Sequence, residues 1–173
     1  MKVWRWWLLG LILLLACVIG TTFPEGGATA RPGLADRVVI EKSRRNLTLY
    51  RAGTAIRVYK VALGSQPIGA KTRAGDGRTP EGIYTIDWRK TNSAYHQALH
   101  VSYPNALDRA HAAELGASPG GDIMIHGLRN GLGWLGRLHR LRDWTRGCIA
   151  LTDVEIDEIS RAVPDGTTVE ILP

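Results

Sequence analysis

From Arg37 onward the chain is cut into short segments of β character by turn residues. Val38-Val39-Ile40 is the first segment, and Leu47 to Tyr50 follows across the polar turn Ser43-Arg44-Arg45-Asn46. Ala52-Gly53-Thr54 turns into a strand over 56–63, where Ile56, Val58 and Lys60 share one face and Arg57, Tyr59 and Val61 the other. After a long polar loop, Gly64 to Gly77, strand character resumes at 82–88, at His100 to Tyr103, at Asp122 to His126 and at Thr167 to Leu172. Three stretches interrupt this with helical signals. Ala106 to Leu115 has Asn105 as N-cap, Asp108 in its first turn and Gly116 just past its end. A second short helix is expected around Leu132 to Leu141. The third begins at the capping box Thr152-x-x-Glu155 and buries Ile156, Ile159 and Val163. The expectation is a mainly β domain with two or three inserted helices, and 173 residues suffice for one such core.

The first two dozen residues stand apart. Lys2 and Arg5 flank an apolar run, Trp6 to Phe23, which reads as a secretory signal peptide or, at 18 residues, as an uncleaved membrane anchor. Lipidation at Cys17 is a third reading, since Leu14-Leu15-Ala16-Cys17 loosely resembles a lipobox, and Ala28-Thr29-Ala30 offers a cleavage site. All three export the domain to the periplasm or cell envelope. Residues 1–23 are therefore expected to be a targeting or membrane-associated segment, 24–36 a Gly/Pro/Ala linker, and 37–173 the folded domain. Without Lys2 and Arg5 the net charge falls from +6 to +4. That excess suits an anionic polymer, and no helix-turn-helix, zinc-finger or aromatic-plus-basic signature accompanies it, so nucleic acid is not the expected partner.

Export leaves the folded domain one cysteine, Cys148, in a compartment where cysteines usually come in pairs. It lies in Thr145-Arg146-Gly147-Cys148-Ile149-Ala150-Leu151, where glycine permits a tight turn and Ile149 and Leu151 point to the core. A thiol needs a base or positive charge to act as a nucleophile near neutral pH. His126, at the exit of Asp122-Ile123-Met124-Ile125-His126-Gly127, is the best-placed base. Against this stands the plainer reading, a buried thiol and a surface imidazole. Zinc is disfavoured, because His96, His100, His111, His126 and His139 show neither an HExxH nor a CxxC spacing.

Between His126 and Cys148 lie Arg129, Arg137, Arg140 and Arg142, with Asp143 the single acid. They read either as a lid that holds substrate carboxylates or as a solvated helix face over a core stripe of Trp134, Leu135, Leu138 and Leu141. Tyr95, His96 and Tyr103 either line a groove or pack plainly. The stretch Gly75 to Gly82 is a structured turn without the lysine ending of a phosphate loop.

The ordered segments GDGRTPEGIYTI, SYPN, GGDIMIHG and TRGCIAL together resemble the YkuD-type L,D-transpeptidase catalytic domain over roughly Val38 to Leu172. On this resemblance His126 takes the family's histidine, Thr145 the Ser/Thr, Gly147 the glycine and Cys148 the nucleophile. Two positions depart from the pattern: Arg146 stands where a histidine is usual, and Ala150 where arginine or asparagine is common. The resemblance implies a β-sandwich-like domain in which Cys148 attacks a tetrapeptide stem after its third residue and expels D-alanine. The thioacyl group would pass to an acceptor amine, giving a 3→3 crosslink or a lipoprotein attachment. His126 would be the base and the Gly127 carbonyl its orienting group. Backbone N–H groups of Gly147 and Cys148 would hold the oxyanion. Thr145, Arg146, Tyr95 and Arg129 are the expected substrate contacts. Peptidoglycan stem peptides, and an envelope lipoprotein as acceptor, are the implied partners; no cofactor or metal is. The same site with water as acceptor would be a carboxypeptidase or endopeptidase, and a non-catalytic peptidoglycan-binding protein is the reading from another class.

Overall fold

The computed structural model describes residues 34–173, so the expected leader or anchor and most of the expected linker lie outside the described residues. The last residues of that linker stretch belong to the fold: Ala35 is buried and its N–H bonds the Ala162 carbonyl, while the Asp36 carboxylate accepts from the Ala52 N–H. A small side chain at 35 is what lets the chain press against the end of a helix there.

Eight strands form one sheet: β1 Arg37–Glu41, β2 Asn46–Arg51, β3 Thr54–Lys60, β4 Gly82–Ser93, β5 His96–Val101, β6 Met124–His126, β7 Ile149–Ala150 and β8 Thr168–Leu172. Their order is β3-β2-β1-β8-β4-β5-β6-β7. The C-terminal strand β8 thus sits mid-sheet, parallel to β1 and antiparallel to β4. Alternation explains the core: Val38, Ile40, Leu47, Leu49, Ile86, Leu99, Ile125 and Ile149 all turn inward and are fully buried. Two α-helices, α1 Ala106–Glu114 and α2 Asp153–Ala162, and a 3₁₀ segment, Gly133–Leu141, are inserted. The domain is the mainly β, sandwich-like one expected.

A backbone seam closes the sheet. Beyond β3 the chain leaves β2, and Ala62 pairs with Ala150 of β7 through two backbone hydrogen bonds of 3.0 and 2.8 Å. The two outer strands are thereby joined and the sheet closes on itself. The strand expected over 56–63 therefore ends its β2 ladder at Lys60, because its last residues serve this seam instead.

Both α-helices are fixed by the caps their sequences advertise. Asn105 and Asp108 form a capping box on α1, and Thr152 and Glu155 one on α2. Ile156 and Ile159 of α2 are fully buried in the core shared with β5 and β6. Three expectations need correction. Strand β5 begins at His96 rather than His100, because β4 runs on to Ser93 and a tight turn brings the chain straight back. Strand β6 is only three residues long. The segment around Leu132 to Leu141 is 3₁₀ and broken at Gly136, whose φ is 46°. At three residues per turn, Leu135, Leu138 and Leu141 align. That face is not a core stripe: Trp134 is 76% exposed, Leu138 61% and Leu141 84%, while His139 turns inward.

Candidate active site

The closing seam builds the cysteine's turn. The Thr145 N–H bonds the Leu63 carbonyl at 3.1 Å, and the Ser65 N–H bonds the Thr145 carbonyl at 2.9 Å. Just upstream, the Asp143 carboxylate accepts the Leu63 N–H at 2.9 Å and two donors of Arg45, at 3.0 and 2.8 Å. Within the turn, the Thr145 hydroxyl accepts the Gly147 N–H at 3.1 Å and donates to the Cys148 carbonyl at 2.7 Å. Gly147 adopts φ 129°, and a Cβ there would lie 2.5 Å from the Arg78 carbonyl oxygen, so no side chain fits. Cys148 emerges from this turn partly exposed. Its sulfur accepts the Met124 N–H at 3.4 Å and lies 3.5 Å from the Asp122 carbonyl.

His126 ends β6, whose parallel pairing with β7 sets His126 opposite Ala150. Its Nδ1 lies 2.6 Å from the Gly127 carbonyl oxygen. A carbonyl can only accept, so Nδ1 carries the proton and Nε2 keeps the lone pair. Gly127 is hemmed in, since a Cβ would meet the Asp153 carboxylate at 2.8 Å and Ile156 at 3.0 Å. Two aromatic rings pack on the imidazole, Tyr95 at 4.7 Å and Trp144 at 5.9 Å between centroids. Trp144 is in turn held by its indole N–H, 3.4 Å from His139 Nδ1.

Cys148 and His126 line the same groove, a cavity of about 750 Å³ with Lys71, Asp122, Tyr95 and Arg146 among its walls. Burial pushes the His126 pKa below that of a free imidazole, with the Gly127 contact opposing. Burial likewise pushes the Cys148 thiol up; the Met124 N–H opposes this, Asp122 adds to it and Lys71 opposes it. The resting pair is thus a neutral thiol and a neutral imidazole with a free Nε2. Such a pair suits proton removal concerted with attack better than a stored thiolate.

The other expected site residues fall into different places. Tyr95 and the exposed Arg146 reach the cysteine groove. Thr145, expected to touch substrate, also lines the groove, but it is buried and its hydroxyl is engaged twice inside the turn, where it holds the cysteine's backbone. The Gly147 N–H, expected to face an oxyanion, is taken by that same hydroxyl; the Cys148 N–H has no partner among the described residues. Arg129 lines a neighbouring apolar groove of about 640 Å³, separated from the cysteine by Tyr95 and Trp144. Sequence reasoning passed over Trp144, Asp122 and Lys71. An indole directly before Thr145-Arg146-Gly147-Cys148 was a usable signal for the first, whereas the other two arrive through folding alone.

The family model for the YkuD L,D-transpeptidase catalytic domain matches residues 35–171. YafK of Escherichia coli (strain K12), whose name assigns it provisionally to the L,D-transpeptidases, is 34% identical over 132 residues, 73% of this chain and 46% of YafK. The helical cell shape determining protein Pgp2 of Campylobacter jejuni superposes with a TM-score of 0.59 at 26% identity, over 84% of this chain and 51% of Pgp2. An L,D-transpeptidase of Mycobacterium smegmatis shares the fold, with a TM-score of 0.53 at 14% identity over 80% of this chain and 59% of that one. The chain spans about half the length of the relatives it matches.

Proposed function

The chain belongs to the YkuD family of L,D-transpeptidase catalytic domains, and from that premise we propose that it is a peptidoglycan L,D-transpeptidase with Cys148 as nucleophile and His126 as general base. The observation that carries this reading is the imidazole whose Nδ1 is committed to the Gly127 carbonyl, leaving Nε2 as acceptor in the groove that holds the partly exposed thiol.

The donor is a tetrapeptide stem. Nε2 of His126 takes the thiol proton as the sulfur attacks the carbonyl carbon of the third stem residue. The oxyanion that forms is met by the unpartnered Cys148 N–H. Collapse breaks the C–N bond to D-alanine, whose amine receives the proton from His126, and a thioester to Cys148 remains. An acceptor amine then attacks the thioester, gives its proton to Nε2, and releases the crosslinked product as the thiol recovers that proton. Tyr95 and Trp144 cover one side of the imidazole, and this shielding keeps it neutral and ready to accept. Arg146, exposed on the groove wall, would meet a stem carboxylate. The apolar run Trp6 to Phe23 would deliver the domain to the envelope, where the stems are.

Incubation of the full chain with purified tetrapeptide muropeptides tests the reading. Transfer gives crosslinked dimers with release of D-alanine. Tripeptide accumulating without dimers means that water is the acceptor, and no turnover of any stem peptide removes the enzyme reading.

A further inference from the structure

The 3₁₀ segment beside the active site turns most of its large apolar side chains outward, and no neighbour among the described residues covers them. Leu132 is 39% exposed, Trp134 76%, Leu138 61% and Leu141 84%. Isolated exposed leucines are ordinary; here Leu132, Leu138 and Leu141 border one apolar groove of about 640 Å³, with Trp134 exposed on the same short stretch, and together they are a patch. The unpaired charge around them is positive: the nearby carboxylates are engaged, Asp143 by Arg45 and the Leu63 N–H, Asp153 by the Leu128 N–H and Glu155 by Arg140. Residues 129–142 contain Arg129, Arg137, Arg140 and Arg142 and no Asp or Glu. Arg140 is bound by Glu155, while Arg129, Arg137 and Arg142 are exposed and have no ion-pair partner among the described residues.

Apolar Trp and Leu side chains fringed by unpaired arginines form the pattern of an element that lies in a bilayer interface, acyl chains taking the first and lipid phosphates the second. A second copy of this chain fits less well, because a two-fold contact would bring the two sets of arginines together. The chain's own apolar run could cover the leucines, yet it offers no negative charge to the arginines.

The placement of the domain's first residues agrees with the charge. The Ala35 N–H bonds the Ala162 carbonyl at the end of α2, and Arg140 of the 3₁₀ segment bonds Glu155 in the first turn of α2. Seven helical residues separate those two points along α2, about 10 Å at 1.5 Å per residue. Between the apolar run and Ala35 lie residues 24–34, which can span roughly 40 Å at full extension. A bilayer holding Trp6 to Phe23 is therefore within reach of the patch.

We propose that Leu132, Trp134, Leu138 and Leu141, with Arg129, Arg137 and Arg142, dock the domain onto an anionic phospholipid bilayer, so that the rim of the cysteine groove lies at the membrane surface. The proposal does not rest on the chemistry at Cys148.

Hydrogen–deuterium exchange on the full chain, reconstituted into phosphatidylcholine vesicles with or without phosphatidylglycerol, tests it. Exchange is read peptide by peptide, so insertion of the apolar run itself does not enter the result. Peptides covering 129–144 exchange more slowly when phosphatidylglycerol is present, and the double variant L138E/L141E loses that protection while β8 exchanges as before. Replacing two arginines, R137Q/R142Q, weakens docking roughly 25-fold, at about fivefold for each basic residue near an anionic surface. Equal exchange in the two vesicle types overturns the proposal. So does protection that grows with protein concentration in the absence of vesicles, which would assign the patch to a second copy.

Discussion

The hydroxyl of Thr145 donates to the carbonyl of Cys148 at 2.7 Å while it accepts the Gly147 N–H at 3.1 Å. One side chain thus ties both ends of the turn that presents the thiol, and its chemistry makes the first prediction. Thr145→Val keeps the volume and leaves two backbone groups without partners, a cost of about 1–3 kcal/mol. Its kcat is expected to fall at least about tenfold, with KM changed much less, since the turn and not a substrate contact is altered. Thr145→Ser restores both bonds and should retain most activity. A KM-only defect in the valine variant would return Thr145 to the role of substrate contact.

Gly147 is the second test of that turn. At φ 129°, with the Arg78 carbonyl oxygen 2.5 Å from where a Cβ would sit, alanine can be accepted only if the seam moves. Gly147→Ala is expected to lose several kcal/mol of stability and essentially all turnover, read by thermal melting and muropeptide assay. Gly53, whose φ is 76° and whose Cβ would meet nothing, provides the comparison: alanine there should cost about 1 kcal/mol and leave turnover intact.

How much of this was legible beforehand depends on whether the signal was local. The caps of α1 and α2 are written within four residues each, and both helices start where Asn105 and Thr152 place them. Cys148 and His126 stood out for the same reason, each framed by a glycine and by alternating aliphatic residues, Ile149 and Leu151 for the first and Ile123 and Ile125 for the second. What failed was tertiary. The departure of Ala62 to pair with β7 is invisible in a segment whose apolar residues fall on both faces, and a row of leucines does not say whether its face meets core or solvent. The two uses of the Thr145 hydroxyl, which remove the Gly147 N–H from the groove, likewise exist only once the turn is folded.

Asp143 joins the seam to Arg45 and to the Leu63 N–H. Arg45 is 43% exposed, so its ion pair contributes little, and the orphaned Leu63 N–H dominates the cost of removing the carboxylate. Asp143→Ala is expected to lower stability by about 2 kcal/mol in denaturant unfolding, whereas Arg45→Ala should cost well under half as much.

Two histidines set the response to acid. Burial holds the His126 pKa below the ordinary 6.5 and brings that of His139 down to about 4. His139 has a further reason to stay neutral, because its Nδ1 accepts from the Trp144 indole, and a proton there would end that bond. The unfolded chain binds more protons than the folded one from pH 6.5 down to the folded values. Stability is therefore full above about pH 6.5 and declines below it, by at most about 1.4 kcal/mol per pH unit for each group, until the folded pKa is passed. Denaturant unfolding at pH 7 and pH 5 measures this, and His139→Gln should make the dependence shallower. The same shifts widen the pH profile of kcat/KM. Its acid limb is expected below 6.5 because His126 must be neutral, and its alkaline limb above the usual thiol range because burial holds the Cys148 proton.

The central claim is that Cys148 is a nucleophile served by His126, and intact mass spectrometry of the full chain after exposure to a carbapenem tests it most directly. Opening of the strained lactam by the sulfur mimics the acylation step. One covalent adduct, mapped to Cys148 and formed at least about a hundredfold more slowly in His126→Asn, is the predicted result. A thiol that a small alkylating reagent modifies while the carbapenem leaves it untouched, or an adduct that forms equally fast without the imidazole, would contradict it.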